Sequence, residues 1–201
     1  MTTLNNNTNN VMNANNATTL RPTTKEELRS IIEQELERQG RDADLNHIDV
    51  SGVTDMTLLF NGLDVRNIKF DKWNTSNVTN MSGMFYGATD FNGDPSAWDT
   101  SKVTDMSYMF CDATSFNQPL SAWDVSNVTN MALMFCGATS FNQPLSAWNP
   151  LRETDMFRML EGATSFNQSL SAWVATINLP IKHIFGYKMS YVDYIVNRFE
   201  K

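Results

Sequence analysis

The chain has 201 residues, a formal net charge of −7 at pH 7 and a hydrophobic share of 41%, enough for one packed domain. Its acidic balance and the lack of a Lys or Arg cluster in its middle argue against nucleic-acid binding, which requires clustered basic side chains. Two cysteines and two histidines are too few for a disulfide framework or a multi-His metal site, and no run reaches the roughly 18 apolar residues of a membrane span.

Asn and Thr dominate residues 1–22, which carry little charge and few large apolar side chains. Such a segment buries too little surface to offset the entropy of ordering, so a disordered tail is predicted here. The same residues show neither the basic start nor the apolar run of a secretory signal. A cytoplasmic location is therefore left open.

Residues 23–47 predict a capping helix and a lead-in to the part that follows. Thr24 and Glu27 form a capping-box pattern, and Gly40 is a natural helix end. The apolar residues between them have helical spacing: Leu28, Ile31, Ile32 and Leu36. We expect this apolar side to cover the open end of the first repeat.

Residues 48–173 consist of five units of 25 residues. The five tryptophans of the chain follow one another at that interval: Trp73, Trp98, Trp123, Trp148 and Trp173. Columns of Met, Phe and Ala keep the same interval. A fixed period of this length is typical of a stacked repeat array, in which each unit covers the apolar side of its neighbour. The predicted core is therefore built from stacked aromatic and Met side chains.

The sequence predicts a repeat solenoid of mixed short β-strands and short helical turns, with helical N- and C-terminal caps. Strands are predicted near residues 119–123 and 128–131, and a helical turn near residues 134–138, with equivalent residues about 4.8 Å apart along the stack. Glu153 occupies a column that holds Val in the other units, so the chain there must open to solvent or repack.

Residues 174–201 predict a C-terminal cap over the last unit. Ser190 to Asp193 resembles the start of a helix, and apolar residues at helical spacing follow it. A membrane-surface helix is the alternative, but its polar face would lack the expected basic residues.

No catalytic constellation is visible, so no enzyme activity, cofactor or metal site is predicted. His47 and His183 lie far apart in sequence, in opposite caps. Cys111 and Cys136 share one column a unit apart, which permits a disulfide, although two reduced and accessible thiols are the preferred interpretation. The pairing stays open.

Two segments carry a resemblance to a known family: Trp-Asp-Val-Ser-Asn-Val-Thr-Asn-Met at residues 123–131 and Met-Phe-Cys-Gly-Ala-Thr-Ser-Phe-Asn-Gln-Pro-Leu at residues 134–145. They resemble the 25-residue repeat of BspA-type leucine-rich-repeat-like bacterial surface proteins, a mycoplasma-type domain of unknown function. The resemblance implies a right-handed solenoid, a place on the cell surface or outside the cell, and adhesion to a host or bacterial protein.

The predicted function is a non-enzymatic protein-binding and adhesion scaffold. Columns that never change are explained by stacking, so specificity must lie in a column that varies. The predicted binding residues come from that column and its neighbours: Tyr86, Tyr108, Leu133, Phe157 and Arg158. The alternative is that this column packs against the caps or the next unit. The oligomeric state is left open.

A second hypothesis is binding to ice or another ordered surface. Threonines recur in two columns: Thr54, Thr79, Thr104, Thr129 and Thr154, and Thr89, Thr114, Thr139 and Thr164. Each column is single rather than paired within a unit, which counts against a flat binding array.

Overall fold

A computed structural model describes residues 11–12, 18–171, 173 and 181–186. Its regular elements are β1 (Val11–Met12), β2 (Thr18–Thr19), α1 (Lys25–Gln39) and α2 (Ile181–Phe185). Within the segment predicted to be disordered, residues 1–22, strands β1 and β2 pair in antiparallel fashion, Leu20 forms a parallel bridge to Ile48, and Pro22 is buried, so the prediction is wrong for these residues. None of the helices in the described residues is long and apolar enough to cross a membrane.

The 25-residue units lie on one another in register. Parallel single-residue bridges join the Asp and Asn column: Asp55 to Asn80, Asn80 to Asp105, Asp105 to Asn130 and Asn130 to Asp155. Next to the bridges, some backbone N–H groups donate to the next unit and others close turns within their own unit. The Phe85 N–H donates to the Met109 carbonyl of the next unit (2.9 Å), whereas the Met84 N–H closes a turn onto Met81 within its own unit (3.2 Å).

The strands predicted near residues 119–123 and 128–131 are not present, because the chain turns too often for consecutive residues to join a ladder. The Trp123 N–H donates to the Leu120 carbonyl (3.1 Å), and the Val128 N–H donates to the Val125 carbonyl (3.1 Å). Residues 134–138, predicted as a helical or 3₁₀ turn, do form successive turns closed three residues back: the Cys136 N–H donates to the Leu133 carbonyl (3.1 Å) and the Ala138 N–H to the Phe135 carbonyl (3.1 Å). Each unit therefore contributes a sequence of turns joined by isolated bridges.

The core consists of the aromatic and Met columns, as predicted. All five tryptophans are at most 4% exposed. The ring centroids of Trp73 and Trp98 are 6.1 Å apart with planes 7° from parallel, and those of Phe85 and Phe110 are 5.6 Å apart at 3°. These centroid separations exceed the predicted 4.8 Å because parallel rings stack with an offset.

Polar groups next to the core are satisfied by the neighbouring unit. The Trp123 Nε1–H donates to the Pro95 carbonyl (3.0 Å) and the Trp148 Nε1–H to the Leu120 carbonyl (2.8 Å). An Asn column does the same for the backbone, since Asn117 Oδ1 accepts the N–H of Asn142 at 2.9 Å. Buried polar groups without such partners would be costly, so these bonds help to fix the register.

The helix α1 covers the first unit and carries the predicted capping box. The Thr24 hydroxyl accepts the Glu27 N–H, and the chain leaves the helix at Gly40 with φ of 81°. Arg29 reaches beyond the helix, where its Nη1 donates to the carbonyls of Leu59 (2.8 Å) and Asn61 (2.9 Å). In later units the equivalent carbonyls accept N–H groups of the preceding unit. The guanidinium thus replaces the missing neighbour at the open edge.

Stacking begins before residue 48, where the repeat was predicted to start. The Leu45 N–H donates to the Lys69 carbonyl (2.8 Å), and Lys69 donates back to Ala43 (2.9 Å). Leu20 joins the same end, because its carbonyl accepts the Asp49 N–H at 2.8 Å. The lead-in is therefore part of the stack.

Glu153 is accommodated by a shift of one residue. Glu153 is exposed, and Thr154 is buried in its place with its Oγ1 donating to the Val128 carbonyl (2.7 Å). The turn here closes from Thr154 onto Leu151 (3.2 Å), one residue later than in the other units. Of the two predicted outcomes, the chain has repacked.

Residues 181–186 cover the last described unit. The carbonyls of His183 and Ile184 accept the N–H groups of Arg158 (2.7 Å) and Leu160 (2.9 Å), as a further unit would. Ile184 and Phe185 are buried against the core. The helix start predicted at residues 190–193 lies outside the described residues.

Candidate binding surface

Large apolar side chains are exposed along one side of the stack. Among the described residues, the exposed ones are Leu58 (48%), Tyr86 (39%), Tyr108 (42%) and Phe157 (40%). Of these, Tyr86, Tyr108 and Phe157 were predicted binding residues, and Leu58 belongs to the same column as Tyr108. Leu133 and Arg158, the other two predicted residues, are half-buried. We call the six together the ladder surface.

The turns that carry the ladder surface are fixed by the Asp and Asn column. In each unit the side-chain Oδ1 of that column accepts a backbone N–H two residues later, for example Asp105 from Ser107 (2.8 Å) and Asn130 from Ala132 (3.0 Å). The next residue is then bonded to the following unit, since the Tyr108 N–H donates to the Ala132 carbonyl at 2.9 Å. Both bonds leave the Tyr108 side chain outside the core.

The residue at this turn has a left-handed backbone in every unit. The φ angles are 56° at Leu58, 61° at Gly83, 56° at Tyr108, 59° at Leu133 and 52° at Arg158. For a residue with a side chain this conformation costs about 1 kcal/mol relative to glycine. Gly83 shows that glycine fits the position. The other four units hold larger side chains there against the backbone preference.

In the first half of the ladder surface the side chains touch across units. The rings of Tyr86 and Tyr108 have centroids 6.3 Å apart and meet edge to face at 77°. Leu58 lies across Gly83, because a Cβ added at Gly83 would be 2.6 Å from Leu58 Cδ2. The small residue at position 83 therefore makes room for the apolar group of the preceding unit.

In the second half, Phe157 lies between two basic side chains. The Arg158 guanidinium carbon is 5.0 Å from the Phe157 ring centroid, and the His183 imidazole meets that ring edge-on at 5.5 Å. The Leu133 N–H donates to the Phe157 carbonyl at 2.9 Å, which connects this half to the preceding unit. His183 was predicted only as a cap or surface residue, because it stands outside the repeat and its sequence position gives no signal of this contact.

The cysteine column differs from the prediction of accessible thiols. Cys111 is only 5% exposed and Cys136 is half-buried, and both are free thiols. Burial raises the pKa of the Cys111 thiol from its ordinary 9.0 to about 12, and burial also raises the pKa of Cys136. In this column the Tyr86 side chain is exposed, whereas the smaller Cys111 side chain is buried.

We expect Cys111 to resist alkylation in the folded protein. At pH 8, iodoacetamide should modify Cys111 at least about tenfold more slowly in the folded protein than in the urea-unfolded chain, because burial keeps the thiol protonated and the thiolate is the reactive form. The rate should rise as the pH approaches about 12. Mass spectrometry over time gives both rates. Equal rates in folded and unfolded protein at pH 8 would contradict the burial of this thiol.

The His, Cys, Asp and Glu side chains of the described residues do not gather into a metal site. No group of three or more His, Cys, Asp or Glu side chains within them is placed to hold a metal ion. The two histidines are each near one carboxylate, His47 with Glu35 (3.4 Å) and His183 with Asp155 (3.7 Å).

Exposed threonine hydroxyl groups link consecutive units along the stack. The hydroxyls of Thr79, Thr104 and Thr129 donate to the carbonyl of the Thr one unit earlier, at 3.2, 3.2 and 3.1 Å. Thr154, predicted to continue the column, is buried. Ice or ordered-surface binding through these columns stays a prediction.

Comparison with known proteins gives one family. The sequence model described as "Mycoplasma protein of unknown function, DUF285" matches residues 33–121 and 94–195, which together span most of the chain. No curated protein and no solved structure matches the chain.

Proposed function

Since the chain belongs to the DUF285 family of mycoplasma proteins of unknown function, we propose its function from its own surface: a non-enzymatic scaffold that binds a protein partner through the ladder surface. The observation that carries this proposal is the combination of exposure and backbone conformation. Tyr108 is exposed although its φ of 56° favours glycine, and Leu58 repeats both features. The backbone preference alone therefore does not account for a large exposed side chain at this position.

The chemistry of the ladder surface suits protein recognition. Tyr and Arg are over-represented among the residues that dominate binding energy. The rings of Tyr86 and Tyr108 pack edge to face. A Tyr side chain has few rotatable bonds, so little side-chain entropy is lost when a partner covers it.

We also propose a fold class for the stack and a form of binding for its surface. We propose that the units form a leucine-rich-repeat-like solenoid with helical caps, supported by the parallel bridges at 25-residue intervals and by the Asn column that bonds consecutive turns. The resemblance to BspA-type surface proteins makes adhesion to a host or bacterial protein the form of binding that we favour.

The test is a double variant of the ladder surface, Tyr108→Ala with Leu133→Ala. A partner captured from mycoplasma or host cell extract and then purified should bind this variant at least about 30-fold more weakly, the loss of one dominant contact of about 2 kcal/mol. The matched control, Ser121→Ala with Ser146→Ala, changes two exposed residues in another column and should bind normally. Affinities are measured by calorimetry.

A glycine variant separates binding from folding. Tyr108→Gly should weaken the binding of the partner. The free energy of unfolding should stay the same or rise by up to about 1 kcal/mol, because glycine adopts the left-handed backbone conformation without strain. Unchanged affinity in this variant and in the double variant would place the binding site elsewhere. A large loss of stability in Tyr108→Gly would assign the side chain to the core.

A further inference from the structure

Carboxylates accompany the ladder surface along the stack. Three of them lie three residues before the left-handed position of their unit: Asp55, Asp105 and Asp155. Glu161 lies three residues after that position, and Asp112 lies four residues after it. Three of them face a basic side chain of this chain: Asp55 faces Lys25 (3.8 Å), Asp155 faces His183 (3.7 Å), and Glu161 faces Arg158 (3.4 Å). The two in the middle of the surface differ.

Asp105 lies three residues before Tyr108, and Asp112 lies four residues after it. Within the described part of the chain, neither carboxylate forms an ion pair with Lys, Arg or His. Asp105 accepts a backbone N–H from Ser107 (2.8 Å), and Asn130 Nδ2 lies 3.5 Å from its other oxygen. No ion pair with another described residue therefore offsets the negative charge on this part of the surface.

Asp112 also differs from the other residues of its column, which are all glycines. Its φ is 58°, and the same column holds glycine with positive φ at Gly62, Gly87, Gly137 and Gly162. Asp tolerates the left-handed conformation better than most residues do, yet glycine is the residue that adopts it without strain. The Asp112 carboxylate lies over Gly137, where a Cβ would collide with it. The chain thus leaves space for one exposed carboxylate beside Tyr108.

We propose that the occupant of the ladder surface is a basic segment of a protein, in which Lys or Arg side chains are interspersed with apolar ones. This inference rests on the proposed function and adds the chemistry of the partner. A cation can lie over the face of Tyr86 or Tyr108 and also approach Asp105 or Asp112, which combines a cation–π contact with an ion pair. The net charge of −7 attracts such a segment from a distance.

Three synthetic peptides of about 12 residues test the proposal. All share the same Leu and Gly residues, and the remaining positions are Lys in the first peptide, Ser in the second and Glu in the third. We expect the Lys peptide to bind at least tenfold more tightly than the Ser and Glu peptides in about 50 mM NaCl. That preference should shrink at about 500 mM NaCl, where exposed charges are screened. Fluorescence polarisation measures each affinity.

Charge-matched variants locate the effect. Asp105→Asn with Asp112→Asn should weaken the Lys peptide about tenfold or more. Asp99→Asn with Asp124→Asn removes the same charge from an exposed column that holds Asn in other units, and it should leave the affinity nearly unchanged. Equal weakening by both pairs would show attraction by the net charge alone and would overturn the proposal.

The remaining outcomes separate this inference from the proposed function. If the Ser or Glu peptide binds as tightly as the Lys peptide, and Tyr108→Ala weakens it, the surface binds protein but the basic partner is wrong. Failure of the Lys peptide to bind also overturns the inference, without touching the partner-capture test. A dimer in sedimentation that Tyr108→Ala dissociates would assign the surface to a second copy of the chain and overturn it too.

Discussion

Replacing Trp123 by Ala should lower the free energy of unfolding by about 3 to 5 kcal/mol, the range for removing a large aromatic side chain from a core. Trp123 is 3% exposed and its ring lies 6.4 Å from that of Trp98 and 6.2 Å from that of Phe110. The variant also leaves the Pro95 carbonyl without the Nε1–H that it accepts at 3.0 Å. Urea unfolding followed by circular dichroism gives the difference.

An exposed aromatic residue provides the control for that loss. Tyr108→Ala removes a ring that is 42% exposed and should change the free energy of unfolding by less than about 1 kcal/mol. If the Trp123 and Tyr108 variants unfold at the same urea concentration, the division between core columns and the ladder surface is wrong.

Removing helix α1 should be the most damaging truncation. A chain that starts at residue 41 loses Leu28, Ile31 and Ile32, which are at most 8% exposed, and exposes the first unit beneath them. Burial of three such side chains contributes on the order of 5 kcal/mol or more, a large part of a typical domain's stability. We expect this chain to aggregate or to unfold at much lower urea concentration.

The matched truncation starts at residue 20 and should unfold like the full chain. Its boundary keeps Leu20, whose carbonyl accepts the Asp49 N–H at 2.8 Å. A point variant, Arg29→Met, keeps the helix but leaves the carbonyls of Leu59 and Asn61 without their donor, and should cost about 2 kcal/mol. Equal behaviour of the two truncations would contradict the covering role of α1.

The sequence alone was enough to predict the core and the first cap. Stacking gives equivalent residues the same surroundings, so the interval between Trp98 and Trp123 indicates burial without any knowledge of the backbone. The capping box at Thr24 and Glu27 is a local hydrogen-bond pattern and is equally visible in sequence. Glu153 marked the place of repacking, because a carboxylate cannot replace a buried Val.

The features missed depend on backbone angles or on contacts outside the repeat. The positive φ of Tyr108 and Leu133 was missed because left-handed residues are normally inferred from a glycine at the position itself. The only signal in the sequence was Gly83, one unit away in the same column. The predicted strands were wrong because short apolar runs bounded by turn residues do not distinguish a strand from successive tight turns. The contact of His183 with Phe157 joins the cap to the ladder surface, and the period carries no information about it.

The two ends of the stack are covered by segments that lie outside the repeat, whereas each inner unit is bonded to its immediate neighbours. A gene that gains or loses one unit of 25 codons would therefore produce a chain whose caps still fit. Each such event lengthens or shortens the ladder surface by one step without redesigning the core. Recombination between repeats in DNA would therefore change the length of the ladder surface while leaving both caps in place.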